Sequence, residues 1–245
     1  MLGNNVLGVL FSYVHGERVR SLTQNRAMAS VPYGGRYRLV DFILSNQVNS
    51  GVNNVGIVTE ENYHSLMDHL GSGKAWDLSR KNEGLKLLPP FGAASQRTEG
   101  KIEALHSIER FLRNSIEEYV LLSDCDTVAN IDFREIFEYH KKQKADITAI
   151  YKRGNSPDTD KNINLTIDPD GVIREVFIKR GSQSDVNYSM GMYFMKKDKL
   201  IELVDDCMSR NLNDFERDII QKNLSELRVC GYEYTGLSYI ITDFE

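Results

Sequence analysis

The chain has 245 residues, 41% hydrophobic and 27% charged, ordinary proportions for a globular protein with enough length for a sizeable core. Thirty lysines and arginines against thirty-five acids leave a formal charge of −5, which excludes the basic surface expected of a nucleic-acid binder. No apolar run reaches the roughly 18–20 residues of a membrane span, and the first residues lack the basic stretch of a signal peptide.

In chain order, Val6–Tyr13 is a continuous apolar strand, Tyr37–Ser50 has helical spacing, and Asn54–Thr59 is a second strand. Tyr63–Leu70 reads as a short helix and Gly84–Leu88 as a strand ended by Pro89-Pro90. Lys101–Leu112 places Ile102, Leu105, Ile108 and Leu112 on one face, the pattern of a helix lying on a sheet. Tyr119–Leu122 is a buried strand that runs into the acidic turn Ser123-Asp124-Cys125-Asp126. Phe133–Gln143 and Asp146–Tyr151 continue as helix and strand. Such alternation predicts an α/β fold with a mainly parallel sheet and a site at the C-terminal ends of its strands.

The last third changes character. Asn164–Ile167 and Val172–Ile178 flank the turn Asp168-Pro169-Asp170-Gly171 and read as a hairpin. Asn187–Met195, Arg228–Tyr234 and Leu237–Thr242 are further strands, and Leu200–Met208 is a helix. One domain over residues 1–245 is expected, with a nucleotide-binding half and a more antiparallel substrate half. The stop at Glu245, directly after a strand-like run, reads as a cut rather than a natural end.

Several residues stand out chemically. Arg18–Arg38 holds five arginines (18, 20, 26, 36 and 38), no acid, and the pair Gly34-Gly35. It follows the first strand, where a doubly wound fold places its phosphate loop, and arginine forks match phosphate oxygens. A solvated basic loop is the plainer alternative. Cys125, Cys207 and Cys230 are too scattered for a metal cluster and read as buried thiols in a reducing cytoplasm. His64 and His69 lack the spacing of a zinc pair, and Trp76 is expected to pack against a loop.

The segment RVRSLTQNRAMASVPYGGRYRLVDFILSNQVNSG (residues 18–51) resembles the N-terminal signature of the ADP-glucose pyrophosphorylases (glucose-1-phosphate adenylyltransferases). The likeness continues through GSGKAWDL, the turn ending at Asp126, and YSMGMY (Tyr188–Tyr193), so that it covers essentially the whole chain. It implies a Rossmann-like nucleotide-diphospho-sugar transferase (GT-A-like) domain, with a mixed, mostly parallel sheet flanked by helices. In the family a left-handed β-helix follows, and this chain lacks it.

The departures from the family pattern bear on activity. The glycine-rich nucleotide loop is reduced to a remnant, Gly16, Arg18 and, further on, Gly100, with Tyr13, Val14 and Glu17 standing among them. Bulky side chains and a negative charge there oppose a triphosphate. Met28 stands where the family has a phosphate-neutralising lysine. Asp126 matches the family's metal-binding aspartate, but Ile240 takes the place of its partner, so that the metal site is vestigial. No catalytic residue and no cofactor are therefore expected, and Mg²⁺ enters only if the chain is an active enzyme. Arg180 and Ser189 correspond to the sugar-phosphate positions, and Arg26, Arg36 and Arg38 are candidates for an effector anion site. Lys101 and Glu103 mark a remodelled base pocket.

This pattern is similar to the GlgD-type auxiliary subunits of Gram-positive ADP-glucose pyrophosphorylases. The resemblance implies a cytoplasmic regulatory subunit of glycogen synthesis, inactive or weakly active alone, that pairs with a catalytic subunit. Glucose-1-phosphate or another sugar phosphate is the implied effector, with no nucleic acid and no membrane as partner. The alternatives are an active adenylyltransferase and a stand-alone sugar-phosphate sensor.

Overall fold

The computed structural model describes residues 2, 5–13, 19–60, 62–80, 83–89 and 100–242. β1 (Val6–Phe11) is buried on both faces, as a strand inside a doubly covered sheet must be. Next come α1 (Arg20–Thr23), the two-residue strands β2 (Pro32–Tyr33) and β3 (Tyr37–Arg38), and α2 (Leu39–Asn49). They are followed by β4 (Asn54–Val58), α3 (His64–Leu70), β5 (Gly84–Leu88), α4 (Lys101–Ser107) and α5 (Glu109–Asn114). β6 (Tyr119–Asp124), β7 (Thr127–Ala129) and α6 (Phe133–Gln143) complete the first half. Four strands then succeed one another without a helix: β8 (Ile147–Gly154), β9 (Asn162–Ile167), β10 (Ile173–Lys179) and β11 (Val186–Lys196). α7 (Lys197–Ser209), a widened helical turn over Phe215–Ile220, β12 (Val229–Glu233) and β13 (Ser238–Ile240) follow.

The expected α/β architecture is present. Among the described residues, nine strands form one sheet. β1 lies between β4 and β6, parallel to both, and β5 extends the parallel set beyond β4. β11 runs antiparallel to β6 on one edge and to β8 on the other. β8 in turn carries β12 in parallel, and β9 and β10 form the expected hairpin. The register of β11 shifts between Ser189 and Met192. Beyond the shift, Met192–Lys196 pairs with β6; before it, Tyr188 lies opposite Asn164 of β9. The sheet therefore branches at the bulge, a device that re-aims side chains at a strand end.

Gly191 makes the branch possible. Its φ is +68°, and a Cβ there would lie 2.2 Å from Asp124 Oδ2. Only glycine accepts that backbone angle at no steric cost while letting β11 approach the end of β6.

Side chains of β1 alternate between two cores. Leu7, Val9 and Phe11 pack with Ile102 and Leu105 of α4, Leu200 and Val204 of α7, and Phe215. Val6 and Leu10 pack on the other side with Ile43 and Leu44 of α2, Leu66 of α3 and Phe133 and Phe137 of α6. A third, smaller cluster joins Met28 to Val19, Val31 and Leu39.

Three elements differ from the sequence expectation for physical reasons. The helix expected from Tyr37 begins at Leu39, because Tyr37 and Arg38 are extended and pair with Tyr33 and Pro32. Gly34 and Gly35, both at positive φ, form the turn of that hairpin and not a loop after β1. The single helix expected over Lys101–Leu112 is broken at Ile108 (φ −102°, ψ 13°), although its four apolar residues all face the core.

Candidate active site

A cavity of about 560 Å³ opens where β1 and β6 end and β11 bulges. Tyr13, just beyond β1, stands on its wall and meets Phe11 edge to face, with ring centroids 6.3 Å apart. Asp124, the last residue of β6, Asp126, two residues on, and Ser189, at the bulge, line it as well. Gly100 lines it with an extended backbone, and a Cβ there would lie 2.1 Å from the carbonyl oxygen of Asn213. The opposite wall comes from Thr159, Lys161 and the segment Asn213–Arg217.

The floor is a linked set of charges. Lys101 Nζ donates to Asp124 Oδ2 and to Glu216 Oε1, each at 2.9 Å. Lys161 Nζ reaches the other oxygen of Glu216 at 2.6 Å and Asp214 Oδ1 at 2.9 Å. The hydroxyl of Tyr193 lies 3.4 Å from Glu216 Oε1 and 3.0 Å from Ser189 Oγ. Glu216 and Asp124 are both buried, at 3% exposure each.

Burial and pairing compete at each of these groups. Burial pushes the Glu216 carboxyl up, but Lys101 and Lys161 together outweigh it and hold the group well below the usual range. At Asp124 burial wins over Lys101, and the pKa rises to about 6. Burial works against the ammonium of Lys101, yet Asp124 and Glu216 hold its pKa well above its ordinary value. Lys161 is raised in the same way, Glu216 overriding its burial. Burial pushes the Tyr193 hydroxyl well up. The cavity floor is thus a set of opposed ions joined by hydrogen bonds, which offsets the penalty of burial at Glu216 and only part of it at Asp124.

The donor set does not suit a resident Mg²⁺. β13 pairs with β7 so that Ile240 lies opposite Thr127, and Ile241 N donates to the backbone oxygen of Asp126 at 2.9 Å. Ile240 thus lines the cavity together with Asp126 and offers no oxygen ligand, and Asp124 already gives Oδ2 to Lys101. A hard divalent cation asks for several oxygen ligands beyond one carboxylate.

Of the residues singled out in the sequence, Tyr13, Gly100, Lys101, Asp126, Ser189 and Ile240 come together in this cavity. Gly16 and Arg18, with Val14 and Glu17, lie outside the described residues. Met28 is 2% exposed and belongs to the small apolar cluster with Val19, Val31 and Leu39, not to the cavity wall. Arg180 is exposed and does not line the cavity; Lys161 is the cation that stands there instead. Arg26 is half-buried, Arg36 is exposed beside the hairpin turn, and none of the three effector candidates lines the cavity. Arg38 is engaged structurally, because its guanidinium donates to the backbone oxygen of Ser65 and, at 2.8 Å, to Ser65 Oγ.

Sequence reasoning missed Glu216, Lys161 and Tyr193. The one local signal was the run Asn213-Asp214-Phe215-Glu216-Arg217-Asp218. There Asp214 accepts from Arg217 N at 3.0 Å and Asp218 Oδ2 accepts from Asp214 N at 3.0 Å, a reciprocal cap on the widened turn. All three cysteines are buried thiols, as expected, but Trp76 packs on a helix and not a loop, its indole N–H donating to Ser45 Oγ of α2 at 3.1 Å. His69 contacts Asp41 at 2.6 Å, a structural partner. No described helix is long and apolar enough to cross a membrane.

Known proteins place this geometry. A solved structure described as a glucose-1-phosphate thymidylyltransferase from Bacillus anthracis, in complex with sucrose, superposes with a TM-score of 0.74. It covers 97% of this chain and 90% of the other at 15% identity, a likeness of fold. The chain is 28% identical over its whole length to the glycogen biosynthesis protein GlgD of Bacillus subtilis, and spans 62% of that protein. A GlgD of Geobacillus stearothermophilus is 40% identical over 63% of this chain and 46% of its own. The glucose-1-phosphate adenylyltransferase of Bacillus subtilis is 32% identical over 90% of this chain and 60% of its own. The chain thus spans less than two thirds of each of these curated relatives. The nucleotidyl transferase family model matches residues 8–234, from the first buried strand to just beyond the last strand of the main sheet, and with a cavity at the ends of its parallel strands the chain belongs to the nucleotidyl transferase family.

Proposed function

We propose that the chain serves glycogen synthesis as an auxiliary, non-catalytic subunit of an ADP-glucose pyrophosphorylase, working in the cytoplasm beside a catalytic homologue. The observation that carries this reading is the pairing of β7 with β13, which sets Ile240 opposite Thr127 and brings it to the cavity that Asp126 lines. Transfer of an adenylyl group from ATP to glucose-1-phosphate needs a metal and cations to take up charge that develops on the phosphates. Here Asp126 shares the cavity with the apolar Ile240, and both lysines of the cavity are tied to carboxylates of the chain itself. The two curated relatives named for glycogen biosynthesis, and not for the transferase reaction, favour the same role.

An auxiliary subunit acts through contact. Its surface would hold the partner in its active arrangement, a shift of about 1–3 kcal/mol in the partner's equilibrium. The 32% identity to an adenylyltransferase over 90% of the chain favours a second reading, an active enzyme. An assay with ATP, glucose-1-phosphate and Mg²⁺ separates the two. The chain alone is expected to show no turnover, and adding it to a catalytic homologue is expected to raise the homologue's rate. Robust turnover by the chain alone, or no change in the homologue, would sink the proposed role.

A further inference from the structure

Glu216 occupies an unusual position. Its two carboxylate oxygens are spanned by two ammonium groups from opposite sides of the cavity, Lys101 at 2.9 Å and Lys161 at 2.6 Å. A ligand phosphate would bind such a lysine pair in the same way, as a bridging anion. The carboxylate is also held firmly. It projects from the widened turn Phe215–Ile220, and the reciprocal Asp214–Asp218 cap and the burial of Phe215 at 1% exposure fix that turn. Widened turns of this kind are frequent at functional sites.

We propose that Glu216 is a built-in counter-anion that stands in the place of a ligand phosphate between Lys101 and Lys161, and that the cavity in consequence selects neutral, hydroxyl-rich ligands over sugar phosphates. The inference deepens the non-catalytic role proposed above and rests on it. The described residues that line the cavity carry four carboxylates (Asp124, Asp126, Asp214, Glu216) against three cations (Lys101, Lys161, Arg217), so that an incoming phosphate meets no excess of positive charge. Thr159 Oγ1 and Asp124 Oδ1, buried oxygens of lining residues, have no hydrogen-bond partner. Other polar groups of the wall are committed. The Asn162 amide donates to the backbone oxygens of Pro157 and Gly181, each at 2.7 Å, and Ser189 Oγ is shared between Tyr193 and the amide of Gly191. Neither oxygen opens onto the cavity, so neither offers a free donor to a phosphate, and the carboxylate excess of the wall repels an anion while leaving a neutral, hydroxyl-bearing ligand unopposed.

Calorimetric titration of the intact chain with glucose, maltose, glucose-1-phosphate and inorganic phosphate tests this. In the wild type, glucose or maltose is expected to bind more tightly than glucose-1-phosphate, with no measurable affinity for phosphate alone. Glu216→Gln is expected to reverse the order. Two unit charges about 5 Å apart at an effective dielectric of about 20 shift an affinity on the order of a hundredfold, and glucose-1-phosphate should gain by that order. If Glu216→Gln does not fold, Glu216→Asp keeps the charge but is too short to span both lysines, and a smaller gain, about tenfold, is expected. Wild-type binding of glucose-1-phosphate as tight as that of the neutral sugars overturns the inference, as does binding of neither sugar, or an unchanged order in both variants. A chain that binds glucose-1-phosphate yet still activates a catalytic homologue would refute this inference alone. Turnover by the chain itself would refute the auxiliary role.

Discussion

The stretch from Arg20 to Arg38 and the floor of the cavity are both rich in charge, but they are assembled in opposite ways. The first collects Arg20, Arg26, Arg36 and Arg38 within nineteen residues of chain, and its local structure spreads them: a short helix, a hairpin turn, and the entry to α2. The second draws Lys101, Asp124, Lys161, Asp214 and Glu216 from four separate segments into one hydrogen-bonded set. Charge density along the chain is therefore a poor guide to charge density in space, and burial decides which of the two regions has chemistry to offer. Exposed arginines keep their water. Buried lysines must find anions, and those anions then determine what else the site accepts.

The largest test of this contrast acts on the backbone beneath the cavity floor. Gly191→Ala places a methyl group against Asp124 at a positive φ. It is expected to cost about 3 kcal/mol or more, because both the strain and the contact must be relieved by shifting β11 from β6. Denaturant unfolding at neutral pH measures it. No comparable loss is expected for Gly35→Ala, where a Cβ meets nothing within 4 Å and only the positive φ resists.

Next in size is Lys101→Met. It leaves Asp124 buried without its cation and Glu216 with one lysine instead of two, at a cost of about 3 kcal/mol at pH 7. The sign of its pH dependence follows from Asp124, whose pKa of about 6 in the folded chain exceeds its ordinary value of 3.8. Between those values the folded chain holds a proton that the unfolded chain has released, so that acidification favours folding through this group. Removal of Lys101 pushes the carboxyl further up. The deficit of the variant is therefore expected to shrink as pH falls from 7 to 5, and a constant deficit would contradict the assigned pairing.

His140 gives a smaller effect of opposite sign. It is 2% exposed, its Nδ1 lies 2.8 Å from Thr148 Oγ1, and burial lowers its pKa to about 4. Unlike the cavity lysines, it is buried without a carboxylate in hydrogen-bond contact, and so it stays neutral. The unfolded chain takes up this proton near pH 6.5 and the folded chain only near 4. The stability that His140 supports is complete above pH 6.5 and is lost as pH falls toward 4, by about 2 kcal/mol. His140→Asn should flatten that part of the unfolding profile, even though it lowers stability at pH 7.

The parallel half of the fold was legible because each buried strand is a compact apolar run between helices of clear period, as in Val6–Phe11, Asn54–Val58 and Phe133–Gln143. Asp126 and Ile240 were legible as site residues from resemblance, and the structure sets them on one wall. What escaped was everything decided by contacts distant in sequence. Glu216 lies 115 residues from Lys101, and no periodicity links them. Met28 stands at a position where the resemblance implies a lysine, but no local feature tells that its side chain packs with Val19, Val31 and Leu39. The arginines misled for the same reason: nothing local tells that Gly34-Gly35 closes a hairpin and that Ser65 holds Arg38.

The smallest predicted effect sharpens that last point. Arg38 and Arg36 stand two residues apart and share one composition argument, yet only Arg38 is tied down. Its guanidinium bonds Ser65 of α3, and its backbone amide donates to Asp41 Oδ2 at 3.0 Å, where Asp41 in turn contacts His69. Arg38→Ala keeps the backbone bond and loses the guanidinium bonds to Ser65, a part-buried, charge-assisted contact worth about 1 kcal/mol. Arg36→Ala removes an exposed side chain at a turn and should change stability by less than about 0.5 kcal/mol. Thermal unfolding of the two variants side by side reads the difference. Equal losses would mean that the segment acts as one basic surface after all, whereas the expected inequality shows that α3 has already claimed one of its arginines.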